Sequence, residues 1–115
     1  MIPEHWLSFI TSNKIIGREF EITEADDLSG LGADLKIMNV EQCISEATEC
    51  YPGIAAIKEG YFPVAMCLSG SGDYYYIQTS EGDGSLYRIY HDAVNEDKLE
   101  SSGIERVLKN YASLL

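Results

Sequence analysis

At 115 residues the chain has the size of one small domain, able to bury roughly two-thirds of the surface its unfolded form exposes. Its 8 Lys and Arg against 19 Asp and Glu give a net charge of −11, which disfavours direct binding to nucleic acid, whose phosphates recruit basic surfaces. A hydrophobic content of 45%, only 3 cysteines with no C-x-x-C pair, and no apolar run long enough to span a bilayer exclude a disordered tail, a disulfide framework, a zinc knuckle and a membrane span.

The opening MIPEHWLSFITSNK has an acid ahead of its apolar run and no small-residue cleavage site, which argues against a secretory signal and for a cytoplasmic address. Within it Trp6, Phe9 and Ile10 recur at helical spacing, with Pro3 suited to a first turn and Asn13 near the stop. Next, GREFEIT alternates Phe20 and Ile22 with Arg18, Glu19 and Glu21, the pattern of a half-buried strand rimmed by acid. EADDLSGLGADLKIM mixes turn residues with a short strand at Leu35–Met38.

From Asn39 onward Val40, Cys43, Ile44, Ala47, Cys50 and Tyr51 mark one helical stripe. Asn39 with Gln42 predicts a capping box, Glu41 suits the positive helix end, and the helix stops before Pro52. Cys43 and Cys50 lie about 10 Å apart on such a helix, beyond disulfide reach, and read as small core side chains.

Beyond Gly60 the pattern becomes strands: YFPVAMCL, DYYYIQT and SLYRIYH, joined by the turns SGSG and SEGDG into an antiparallel meander. Pro63 cannot donate to a ladder and predicts a strand start or an edge position. Ser102 with Glu105 forms an S-x-x-E box ahead of Ile104, Val107, Leu108, Tyr111 and Leu115, predicting a closing helix. The sum is a single α+β domain over 1–115, with helices packed on an antiparallel central sheet and mixed pairing left open.

The acid is concentrated. Nine acids (Glu19, Glu21, Glu24, Asp26, Asp27, Asp34, Glu41, Glu46, Glu49) against Lys36 give the segment from Glu19 to Glu49 a charge of −8. Such a field raises the association rate of a cationic partner by roughly 10 to 10³. The alternative is acid serving solubility alone.

Specific chemistry finds little support. GSGDYY lacks the third glycine of a dinucleotide loop and leads into a strand, and SEGDGS offers only Glu81 and Asp83 to a calcium ion. His5 and His91 stand far apart in sequence, so no metal or other cofactor is expected. Asp73, His91 and Asp92 are an acid–base group if they meet across strands, but no nucleophile motif accompanies them. Tyr74 and Tyr76 share one face of their strand and Tyr75 the other, so either a helix covers one face or an aromatic platform is exposed there.

ECYPGIAAIKEGYFPVAMCLSGSGDYYYI followed by LYRIYHD resembles the SUKH superfamily, the Smi/Knr-type domains that include bacterial toxin-immunity proteins and a fungal cell-wall-synthesis regulator. The likeness rests on Tyr51-Pro52-Gly53-Ile54, Gly60, Pro63-Val64, Gly70-x-Gly72-Asp73 and Tyr87 through His91-Asp92. Tyr74 departs from it, standing where relatives often have proline, as does Ile104, where an aromatic is common.

The resemblance implies an α+β fold without shared catalytic residues, a structural turn at Gly70, Gly72 and Asp73, and a non-enzymatic cytoplasmic immunity protein that neutralises a polymorphic toxin. The partner expected is a basic, nuclease-type toxin domain, with no membrane and no direct nucleic-acid contact, the chain itself being a monomer or weak homodimer. Candidate partner-binding residues are Glu19, Glu21, Glu24, Asp26, Asp27, Glu46 and Glu49, with Tyr74 and Tyr76 as anchors. The competing expectations are a small hydrolase or ligand-binding domain using Asp73, His91 and Asp92, and a regulatory scaffold.

Overall fold

A computed structural model describes residues 1–80 and 84–115. The possible calcium ligands Glu81 and Asp83, with most of the SEGDG turn, lie outside the described residues. The elements run α1 (Glu4–Ser12), β1 (Glu19–Ile22), β2 (Ala33–Ile37), α2 (Val40–Glu49), α3 (Gly53–Lys58), β3 (Tyr61–Cys67), β4 (Tyr74–Gln78), β5 (Leu86–Ile89), a small hairpin of β6 (Val94–Asn95) and β7 (Lys98–Leu99), and β8 (Ile104–Leu108). Short 3₁₀ turns occupy Ser101–Gly103 and Tyr111–Leu114.

The fold is α+β. Six strands form an antiparallel sheet in the order β1-β2-β3-β4-β5-β8, so β1 and β8 are its edges. Alternation sets its two faces. One carries Phe20, Leu35, Ala65, Tyr75 and Arg88, and is covered by α1 through Trp6 and Ile10, fully buried in a cluster with Leu35, Tyr75, Ile77 and Leu86. The other carries Met66, Tyr74, Tyr76, Tyr87 and Ile89, where Ala56 of α3 packs on Tyr76, Tyr87 and Ile89. Each large aliphatic side chain so buried contributes about 1.5–3 kcal/mol.

Helix α2 begins where its sequence requires: Asn39 Oδ1 accepts from the Gln42 amide at 2.8 Å and Gln42 Oε1 accepts from the Asn39 amide at 3.0 Å. After a cis Tyr51–Pro52 peptide the chain re-enters a helix, α3, which the sequence pattern did not announce because six residues are too short to show a period. Gly53 makes the join possible, since a Cβ there would stand 1.9 Å from the Glu46 carbonyl oxygen.

Two expectations are corrected. Residues 104–108 form a strand, not a helix, pairing Leu86 with Leu108, Arg88 with Glu105 and Ile89 with Ile104. A bulge at Leu86/Tyr87 accompanies Val107 and Leu108 turning inward together, and two adjacent buried residues after Ile104 mimic a helical period. Without this strand β5, buried at all four positions, would leave the backbone groups on the side away from β4 unpaired. Pro63 neither starts its strand nor is exposed at an edge: it is buried within β3, next to a bulge between Pro63 and Ala65 and beyond the last β2 pair at Ala65.

Among the described residues no helix is long and apolar enough to cross a membrane.

Candidate functional site

The acids gather on one part of the molecule. In β1, Glu19 and Glu21 are exposed while Phe20 and Ile22 turn inward, and the register sets Glu19 beside Lys36 and Glu21 beside Asp34. Cross-strand pairing then extends a single row over the second face: Glu19, Lys36, Met66, Tyr74, Ile89 and Ile104. From Glu19 to Tyr74 is three strand spacings, roughly 14 Å.

Helix α2 borders the middle of this row. A groove of about 360 Å³ lies between them, lined by Glu41, Ser45 and Glu46 on the helix side and by Met66 and Tyr74 on the sheet. Burial, with Glu46 nearby, pushes the Tyr74 hydroxyl above its ordinary pKa, so it remains a neutral donor. Glu49 is exposed one turn on and accepts a hydrogen bond from Ser45.

Glu21 is the centre of the acidic region. It lines a hollow with Glu24, Leu31 and Asp34, a second with Glu19, Asp34 and Leu68, and a third, about 410 Å³, with Asp26, Leu28 and Leu108. Among the described residues no salt bridge engages Glu19, Glu21, Glu24, Asp26 or Asp34. Leu28, Leu31 and Leu68 are 50%, 60% and 42% exposed, so apolar tips stand between the carboxylates. Sequence reasoning missed these leucines and Asp34 as site residues. Alternation with buried Leu35 was the available signal for Asp34, whereas loop leucines carry no periodicity.

Two sequence candidates lie inside instead. Asp27 is buried and bound to Arg88: Arg88 Nη2 donates to Asp27 Oδ2 at 3.1 Å and to the Gly32 carbonyl at 2.8 Å, and Nη1 donates to Ser29 Oγ at 2.9 Å. Burial alone would raise the Asp27 carboxyl, but the Ser29 amide and hydroxyl and the Arg88 guanidinium outweigh it and hold it below the usual range. Its charge is neutralised within the fold and steers nothing. Tyr76 is fully buried, and among the described residues its hydroxyl meets no hydrogen-bond partner, so it packs the core and anchors no partner. Cys50 is only half-buried at the end of α2, while Cys43 is sealed and its thiol is pushed up to about 12 by burial.

The acid–base candidates partly converge. Asp73 Oδ1 lies 2.8 Å from both the backbone nitrogen and Nδ1 of His91, while Asp92 is an exposed neighbour. Asp73 thus clasps the start of β4 to the end of β5. Within the preceding turn, Gly70 and Gly72 adopt φ of +84° and +78°, and the Cys67 sulfur meets the hydroxyls of Ser69 and Ser71 at 2.9 and 3.2 Å. The His91 side chain is 62% exposed, and the Ser69 and Ser71 hydroxyls of the turn before Asp73 are engaged with the Cys67 sulfur. Among the described residues no group of His, Cys, Asp and Glu is arranged to hold a metal ion.

No family model, curated protein or solved structure matches the chain.

Proposed function

We propose that this chain is a non-enzymatic protein-binding domain that captures a basic protein, and that the captured protein is a nuclease-type toxin against which it confers immunity. The observation that carries the first step is the set of carboxylates Glu19, Glu21, Glu24, Asp26 and Asp34, none of them in a salt bridge among the described residues, around exposed Leu28, Leu31 and Leu68. A nuclease is cationic where it holds phosphate, and an acidic protein surface occupies that region by the same attraction. Apolar tips among the charges supply the desolvated contacts that long-range steering lacks. The SUKH-like order of Tyr51-Pro52-Gly53, Gly70-x-Gly72-Asp73 and His91-Asp92 supplies the biological setting.

The test is co-expression with basic nuclease domains encoded beside this chain. Rescue of growth, together with a complex that weakens steeply between low and physiological salt, supports the reading; a toxic domain that is neither bound nor neutralised at low salt overturns it.

A second reading, acid–base chemistry, has the Asp73–His91 contact in its favour. It requires an activity that His91→Ala abolishes while the protein stays folded. Capture of a basic protein leaves such a variant functional.

A further inference from the structure

We propose that the free edge of β1 accepts an extended strand from the cationic partner, with basic residues opposite Glu19 and Glu21 and an apolar residue opposite Phe20. The proposal rests on the reading that the acidic region captures a basic protein, and it specifies how.

Among the described residues, strand β1 pairs with β2 alone. Antiparallel ladders alternate residues whose backbone groups face the neighbour with residues whose groups face away. The Ile37 amide donates to the Arg18 carbonyl at 2.9 Å, so Arg18 faces β2, and with it Phe20 and Ile22. The far side of β2 agrees: Met38 donates to the Val64 carbonyl and the Asp34 carbonyl accepts from Leu68, so Asp34 and Met38 serve β3 while Ile37 serves β1. The amides and carbonyls of Glu19 and Glu21 therefore point away from the sheet. Neither residue makes a backbone hydrogen bond outside the ladder among the described residues.

Space borders this edge: one hollow is lined by Glu19, Phe20, Glu21, Asp34 and Leu68, and a groove of about 410 Å³ is lined by Glu21, Ile22, Leu28 and Leu108. Carboxylates on an edge normally discourage pairing, and here they also choose the partner. Glu21 already sits across from Asp34, so a second copy of this chain would add more carboxylates to a crowded row. A Lys or Arg in that position relieves the repulsion. Lys109 lines the groove beside Ile22 and Leu28, so a basic side chain is disfavoured there and an apolar one is favoured next to Leu28.

The experiment uses the full chain and a capped peptide alternating Lys and Val. Its controls are a peptide of the same composition with the lysines in one block, and the alternating peptide N-methylated on its lysine amides. Saturation with the alternating peptide is expected to slow hydrogen exchange at the Glu19 and Glu21 amides by about tenfold or more. Neither control should do so. Because the Glu21 amide points outward, Glu21→Pro preserves the ladder with β2 and should weaken this peptide about fivefold beyond Glu21→Gln, which removes the same charge but keeps the donor.

Equal binding of all three peptides without amide protection, or equal effects of Glu21→Pro and Glu21→Gln, overturns strand addition while leaving acidic capture intact. Failure of every peptide to bind at low salt removes acidic capture as well. Self-association of the chain that Glu21→Pro abolishes overturns the proposal in favour of a second copy.

Discussion

Arg88 and Asp27, 61 residues apart in sequence, meet at 3.1 Å with side chains 6% and 0% exposed. The contact ties the loop after β1 across the face of β5, and the same guanidinium reaches Ser29, Gly32 and, at 3.5 Å, Glu105. The Leu28 amide adds a bond to the Val107 carbonyl at 2.9 Å, so the loop that displays Glu24 and Asp26 is held from both sides.

Asp27→Asn should therefore cost about 3 kcal/mol in urea unfolding, because it removes the nearest and most buried countercharge of a buried guanidinium. Glu24→Gln, in the same loop but exposed, should change stability by less than about 0.5 kcal/mol. The folded Asp27 carboxyl titrates below its ordinary 3.8, so its contribution is present above that value and is lost as pH falls through the folded pKa. Asp27→Asn should lose that part of the wild type's sensitivity to acid. Equal stability of Asp27→Asn and Glu24→Gln proteins would show that the pair holds nothing in place.

The difference between Asp27 and its neighbours shows what the sequence could reveal. Local rules were enough for α2, whose cap, stripe and stop lie within a dozen residues of one another, and for β1, where acid and apolar residues alternate. They were not enough for Asp27, which reads as one more acid until Arg88 arrives from β5, nor for Tyr76, whose burial depends on α3. Strand β8 was misread for a related reason: opposite the Leu86/Tyr87 step of β5 it carries an extra residue, Val107, which rephased its inward side chains. What escaped was set by tertiary partners, and the site lies partly there.

The Asp73–His91 clasp makes a prediction of opposite sign. The hydrogen bond and charge of Asp73, with a smaller contribution from Asp92, raise the His91 pKa above its ordinary 6.5. Stability from this contact is then fully present below that value and is lost as pH rises through the folded pKa. An NMR titration of His91 should give a midpoint above 6.5 in the wild type, returning toward the ordinary value in Asp73→Asn. Identical midpoints in the two proteins would mean the contact is absent in solution.

Gly53 offers a sharper structural test. A Cβ there would stand 1.9 Å from the Glu46 carbonyl oxygen, a backbone atom that can yield only if α2 and α3 separate. Gly53→Ala should cost about 3 kcal/mol. Gly70→Ala meets no atom within 4 Å and carries only the strain of φ +84°, for which about 1 kcal/mol is the expectation. Thermal or urea unfolding of the two proteins separates crowding from backbone strain, and the reverse ranking would refute the close join between the helices.

The last prediction concerns how charge and apolar contact divide the work of binding. Long-range attraction depends on net potential, so Glu19→Lys with Glu21→Lys should slow association with a cationic nuclease domain by about tenfold at low salt and by less as the Debye length shrinks toward 8 Å. Exposed Leu31 and Leu68 cannot act at that range. Their replacement by Ser should leave the association rate within about twofold and speed dissociation, since short-range desolvated contacts govern how long a complex lasts. Lys36, the only base in the row between Glu19 and Tyr74, gives an internal control: Lys36→Gln raises the negative potential without touching a carboxylate and should quicken association. Stopped-flow measurements at several salt concentrations read all three effects. An association rate indifferent to both the Lys36 and the glutamate substitutions would show that the clustered carboxylates do not guide the partner, and capture would then have to rest on the leucines alone.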